Sequence, residues 1–160
     1  MGLFDVLKSK PYEDPQLGHF ERARGRWRGS VNLPQGGVVT LLVSGGRDRP
    51  DESGILLARE LPQRYPGLRA EIARHLFEHY EPYREAMESG EPVVASEPFP
   101  KIGAADDVWP HTRLDRVLIE PVEGVPTVEV AYRVAWDEEH TLGAWIRDWR
   151  VFELCGSIGP

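Results

Sequence analysis

Two histidines flank a glutamate in the run His75-Leu76-Phe77-Glu78-His79, and that spacing can do chemistry. Residues four apart share a helix face, so both imidazoles can reach one zinc ion, with Glu78 placed as general base on a metal-bound water. One reading of the chain is therefore a small metal-dependent hydrolase, with zinc held by His75 and His79 and a third ligand drawn from Glu138, Glu139 or His140. The competing reading is structural. Leu76 and Phe77 fall on the apolar stripe of the same helix, and Glu78 stands four residues after Arg74, a spacing that suits a surface ion pair. The structural reading is preferred.

A second constellation joins Asp106-Asp107 and His111 to Asp137-Glu138-Glu139-His140. Carboxylates and imidazoles from two loops suit calcium, magnesium or manganese, but no spacing here fixes a coordination geometry. The simpler expectation is that Asp106 and Asp107 open a turn, while Asp137–His140 joins two strands and keeps their edge soluble. These six residues, Asp106, Asp107, Asp137, Glu138, Glu139 and His140, are the expected binding residues for a protein partner.

Other motifs carry less. Arg22, Arg24, Arg26 and Arg28 surround Trp27, but strand parity turns Trp27 away from Arg26 and Arg28, so the stacking platform of a single-strand binder is missing. Ser44-Gly45-Gly46 lacks the lysine of a phosphate loop. The lone cysteine, Cys155, excludes an internal disulfide and a cysteine-built zinc site.

Charge bears on partners. The 160 residues carry a formal net charge of -7. Residues 1–90 balance 13 basic against 13 acidic side chains, and residues 91–160 hold 6 against 13, so the whole excess lies in the second part. Such a field attracts a basic partner and argues against a general nucleic-acid coat. No apolar run reaches the roughly 18–20 residues of a membrane span. The N-terminus reads as no secretory signal, which places the protein in the cytoplasm.

The elements that must position these residues follow from period and punctuation. Residues 2–9 predict one or two helical turns before Pro11 and Pro15, and residues 1–15 a frayed segment. Period-two alternation predicts strands at 17–24 and 26–33, with Gly25 at the turn. The β-branched run Val38–Val43 predicts a strand covered on both faces. Asp51 is placed to cap a helix from Glu52 that Pro62 and Pro66-Gly67 interrupt. A second helix runs from Leu68 to Ser89-Gly90, bent at Pro82. Residues 91–112 predict an extended loop packed on the domain through Val93, Val94, Phe99, Ile102, Val108 and Trp109. Strands follow at 114–120, 128–136, 142–146 and 149–154. The order predicts an α+β fold, a single domain over 1–160. Its antiparallel sheet has about seven strands, three and then four, with a central helical region on one face.

The stretch Val134-Ala135-Trp136-Asp137-Glu138-Glu139-His140-Thr141-Leu142-Gly143 resembles a group of uncharacterised bacterial domains. In these a strand ends in W-D-x-E-H-x-L-G and returns as a hairpin, and an earlier helix carries L-F-x-x-Y, matched by Leu76, Phe77 and Tyr80. The resemblance implies no established activity. It implies a bacterial immunity-like or accessory protein beside contact-dependent toxin systems, with Trp136 anchoring the hairpin, Gly143 kinking it and His140 tying the turn.

Two hypotheses result: a non-catalytic binding protein without cofactor that takes a basic protein, and the zinc hydrolase. A subunit that pairs an edge strand with another copy is a third.

Overall fold

Alternating apolar and polar residues build one sheet of eight strands. The computed structural model describes residues 8–92 and 98–156. The strands are β1 (Tyr12–Asp14), β2 (Gly18–Ala23), β3 (Arg26–Leu33), β4 (Gly37–Ser44), β5 (Thr112–Val122), β6 (Val125–Val134), β7 (Asp137–Arg147) and β8 (Arg150–Gly156). They lie across the sheet in chain order. Every neighbouring pair is antiparallel except β4 and β5, where Leu41 stands beside Val117 in parallel register. A parallel pair cannot close through a tight turn and needs a long crossover, which the helix α1 (Glu52–Glu88) and a 3-10 helix (Ala105–His111) supply.

The count corrects the expectation of seven strands: four precede the helix and four follow it. The unforeseen strand is β1, whose three residues are too few to show a period. The helical turns expected at 2–9 lie, up to residue 7, outside the described residues.

Three two-residue turns set the hairpin registers. Arg24-Gly25, Glu123-Gly124 and Asp148-Trp149 all have positive φ at both positions, the mirror-image turn that matches strand twist. Glycine makes this cheap at 25 and 124. Trp149 adopts φ 56 without that freedom. Its ring lies 5.5 Å from the Arg64 guanidinium, so packing on α1 accompanies the strained turn.

The helix departs most from expectation. Pro62, Pro66 and Pro82 neither end nor split it, and α1 is continuous over 37 residues. Each proline removes one amide from the ladder and crowds the carbonyl four residues back. What outweighs this is burial: Ile55, Ala58, Leu61, Tyr65, Leu68, Ile72, Leu76 and Tyr80, at steps of three and four, are all nearly inaccessible. A fully buried side chain of this kind contributes roughly 1.5–3 kcal/mol, so the stripe exceeds the proline penalties. Asp51 begins the helix but does not cap it with its side chain. Its Oδ2 instead accepts the Ser44 hydroxyl at 2.7 Å. Gly90, at φ 86, ends the helix as expected: Glu91 N–H donates to Ala86 and Gly90 N–H to Met87, the paired bonds of a Schellman stop.

Ion pairs pin the helix toward both edges of the sheet. The Asp14 carboxylate of β1 accepts Arg59 Nε at 3.0 Å. At the other edge, Glu71 pairs with Arg150 of β8 and accepts the Val151 amide at 2.9 Å. Phe99, Ile102, Val108 and Trp109 pack on the core as expected, and Val93 and Val94 lie outside the described residues. The Tyr80 hydroxyl holds this loop, donating to the Pro100 carbonyl at 2.8 Å and accepting the Ile102 amide.

Facial burial is also redistributed. In β4 only Val39, Leu41 and Val43 are buried, while Val38 is 73% exposed, because the helix covers one face alone. In β6 the reverse holds: Glu129 and Ala131, on the face away from the helix, are buried as well. Trp145 of β7 covers Glu129 and donates to it at 2.6 Å. No described helix is long and apolar enough to cross a membrane.

Two stability measurements follow. Pro82 is exposed, so Pro82→Ala restores an amide to the Glu78 carbonyl without disturbing the core. It is expected to stabilise by about 1–2 kcal/mol, the helix gain less the lost rigidity of the unfolded chain, read as a higher thermal midpoint. A Cβ at Gly143 would lie 2.7 Å from the Glu129 carboxyl, so Gly143→Ala should lose about 1–3 kcal/mol in urea unfolding.

Candidate functional site at the start of β7

Asp137 organises the turn between β6 and β7. The turn proper is Ala135-Trp136, because Asp137 already pairs with Val134. The ladder resumes only at Thr141 opposite Arg133, so Glu138, Glu139 and His140 bulge from the strand. The expected four-residue turn is corrected to a short turn followed by this bulge.

The six expected binding residues separate. Asp106 and Asp107 are exposed in the first turn of the 3-10 helix, and no described hydrogen bond or ion pair joins them to the bulge. The far end of that helix meets the turn, where the His111 carbonyl accepts the Ala135 amide at 2.9 Å. Glu138, Glu139 and His140 face solvent, whereas Asp137 is 7% exposed. Asp137 lies buried at the base of the bulge.

Its partners converge from α1 and from the bulge itself. The Tyr83 hydroxyl of α1 donates to Oδ2 at 2.8 Å. His140 donates from its amide to Oδ1 at 3.2 Å, and its Nδ1 lies 2.9 Å from the same oxygen. His79 Nε2 of α1 stands 3.9 Å from Oδ2. The Trp136 indole, which can only donate, gives its N–H to His79 Nδ1 at 3.0 Å. That bond requires an unprotonated Nδ1 and turns the proton of neutral His79 onto Nε2, toward Asp137.

The electrostatics follow from these contacts. Burial alone would raise the Asp137 carboxyl, but the bonds from His140 and Tyr83 outweigh it and hold the group below its ordinary range. Asp137 holds the exposed His140 imidazole protonated above its usual value. Burial lowers His79, against the pull of Asp137. Burial, then the bond to Asp137, pushes the Tyr83 phenol up to about 12.

Chemically, the arrangement fixes one imidazole by its Nδ1 and leaves its Nε2 toward solvent. A cleft of about 240 Å³ lies on the Tyr83 side, between Pro92, Trp136 and the bulge. Among the described residues, neither this cleft nor the one on the Arg133 side is lined by a serine or cysteine beside His140. Cys155 lies on β8 opposite Gly143, its thiol raised to about 11 by burial.

The His75–His79 motif does not converge. His79 turns to Trp136, Glu78 pairs with Arg74 at 3.0 Å, and His75 Nε2 lies 3.4 Å from the same arginine. No group of three His, Cys, Asp or Glu side chains gathers as a metal site among the described residues. The arginine face of β3 finds a partner two strands away, where Arg26 meets Glu120 at 3.0 Å. Tyr83 is the site residue that sequence reasoning missed. It stands four residues after His79, at the helical spacing of the apolar stripe, where an aromatic ring reads as core and its hydroxyl leaves no signal in the pattern.

Imidazole NMR tests this geometry. His79 should titrate below its ordinary 6.5 and His140 above it. In Asp137→Asn, His140 should fall back toward its ordinary value, and an unmoved His140 would refute the pairing. The linkage signs are opposite. The His140 contribution to stability is present below pH 6.5 and lost as pH rises through its folded value. Stability from keeping His79 neutral is lost as pH falls below 6.5, because the unfolded chain takes up the proton first.

The family model described as "Domain of unknown function (DUF6985)" matches residues 16–158. No curated protein and no solved structure matches the chain.

Proposed function

Because the chain belongs to the DUF6985 family, whose description assigns no activity, we propose a function from the geometry: the domain binds another protein, without catalysis, through the Glu138–His140 bulge. The observation that supports this reading is the buried Asp137 carboxylate, which ties down the base of the bulge through Tyr83 and His140. A surface so held loses little freedom on binding, and preorganisation of this kind strengthens association. The two glutamates, within a half of the chain that holds the whole negative excess, favour a basic partner and speed encounter with it. The proposed setting is the bacterial cytoplasm, in an immunity-like or accessory role.

Affinity capture with the wild type and with Glu138→Gln/Glu139→Gln as baits, followed by reconstitution of the complex from purified components, tests it. The double variant should bind the purified partner at least tenfold more weakly, and the wild-type affinity should fall as salt screens the charges. Equal affinity for both baits would refute the assignment. Elemental analysis bears on the hydrolase alternative: near-stoichiometric zinc that disappears in His75→Ala would overturn the binding reading.

A further inference from the structure

The Trp136 indole is held by a bond that one proton destroys. Trp136 is 2% exposed, and its ring stands edge-on to Tyr80 of α1, with 5.5 Å between centres. Among the described residues the acceptor of its N–H is His79 Nδ1, at 3.0 Å. Neutral His79 then carries its single proton on Nε2, so a second proton can only enter at that same Nδ1. An imidazolium donates from both nitrogens and accepts at neither. Protonation sets two N–H donors against each other and leaves a buried indole donor unpaired, which costs the full desolvation of that group.

The surroundings decide where each ring goes. Asp137 Oδ2 stands 3.9 Å from His79 Nε2, too far for a hydrogen bond to the neutral ring and close enough to draw a cationic one. Tyr83, one turn further along α1, has its ring centre 5.2 Å from that of His79 and stays neutral, its phenol raised to about 12. On the bulge, His140 opposes a positive charge at His79, and Asp137 and then Glu139 favour the protonated form of His140 itself. Glu78, beside His79 on α1, is paired with Arg74. Acid therefore charges His140 first and His79 afterwards, against burial and the His140 cation. Trp136 lines the cleft of about 240 Å³ on the Tyr83 side, which gives a freed indole N–H a route to water.

We propose that His79 is a proton-operated latch on the β6–β7 turn: with Nδ1 bare it holds the Trp136 indole, and with Nδ1 protonated it turns to Asp137 and releases the indole toward the cleft. Release reshapes the cleft wall beside Glu138–His140. The latch belongs to the free domain, whereas its control of a partner rests on the binding role given to the bulge.

Nitrogen–proton NMR of the full chain, between about pH 8 and pH 5, tests the latch, with the Trp136 indole signal assigned by its loss in Trp136→Phe. The indole N–H should lose at least tenfold of its protection from solvent exchange, relative to N-acetyltryptophanamide at the same pH. The midpoint should be that of the His79 imidazole, below 6.5. His79→Gln offers an amide oxygen as acceptor at every pH, so its indole should stay protected throughout. In His140→Gln, which removes the opposing cation from an exposed position, release should persist and begin at higher pH, and this shift carries the test if His79→Gln fails to fold. An indole protected down to pH 5, release that persists in His79→Gln, or release that follows His140 would each overturn the proposal. So would loss of far-ultraviolet circular dichroism at the same midpoint, which marks unfolding. Partner affinity in Glu138→Gln/Glu139→Gln is a separate readout that leaves His79 in place, so the binding reading and the latch can each fail alone.

Discussion

The burial of one helix face governs this structure. A helix of 37 residues holding three prolines would break in water, since each interior proline costs about 3 kcal/mol relative to alanine. It persists because tyrosines, leucines and isoleucines on one stripe are removed from solvent against the sheet. At about 1.5 Å per residue the helix spans roughly 55 Å, so its C-terminal turns reach the start of β7. The same element closes the parallel β4–β5 connection and is ion-paired to β1 and β8. Fold and site thus depend on one packing face.

Asp137 shows what that packing makes possible. A buried carboxylate is costly unless its oxygens are satisfied, and here donors arrive from α1 and from the bulge itself. The helix brings Tyr83 and His79 to it, and Trp136 selects the tautomer of His79. Satisfied in this way, a buried polar group fixes one local arrangement among many. The bulge is irregular in ladder terms but specified in bonding terms. Glu129 follows the same rule on the opposite face: the missing side chain of Gly143 leaves room for its carboxyl, and Trp145 donates to it.

Charge is partitioned on the folded surface as well as along the chain. The glutamates of the bulge project beside a cationic imidazole, while Arg69 of α1 lies over the Trp109 ring. The first grouping is contiguous in sequence, and the second is made only by the fold. Arg69 and Trp109 are brought together by the crossover, whose 3-10 helix carries Trp109.

Much of the architecture was legible from period and punctuation. The alternation at 26–33 and 128–134 determines strands, Gly25 and Gly124 determine mirror-image turns, and the stripe from Ile55 to Tyr80 determines a buried helix face, because these depend on neighbours within a few residues. The continuity of α1 was not legible: proline chemistry is local and predicts a break, while the burial that overrides it is supplied by the sheet. The strand Tyr12–Asp14 is held by pairing to β2 and by Arg59, neither of which leaves a local pattern. Within the site, the sequence by itself marked Asp137 to His140 as a polar segment of unusual composition. Only the tertiary structure decided that Asp137 turns inward and the other three outward, because the partners that satisfy a buried carboxylate come from a helix more than fifty residues away.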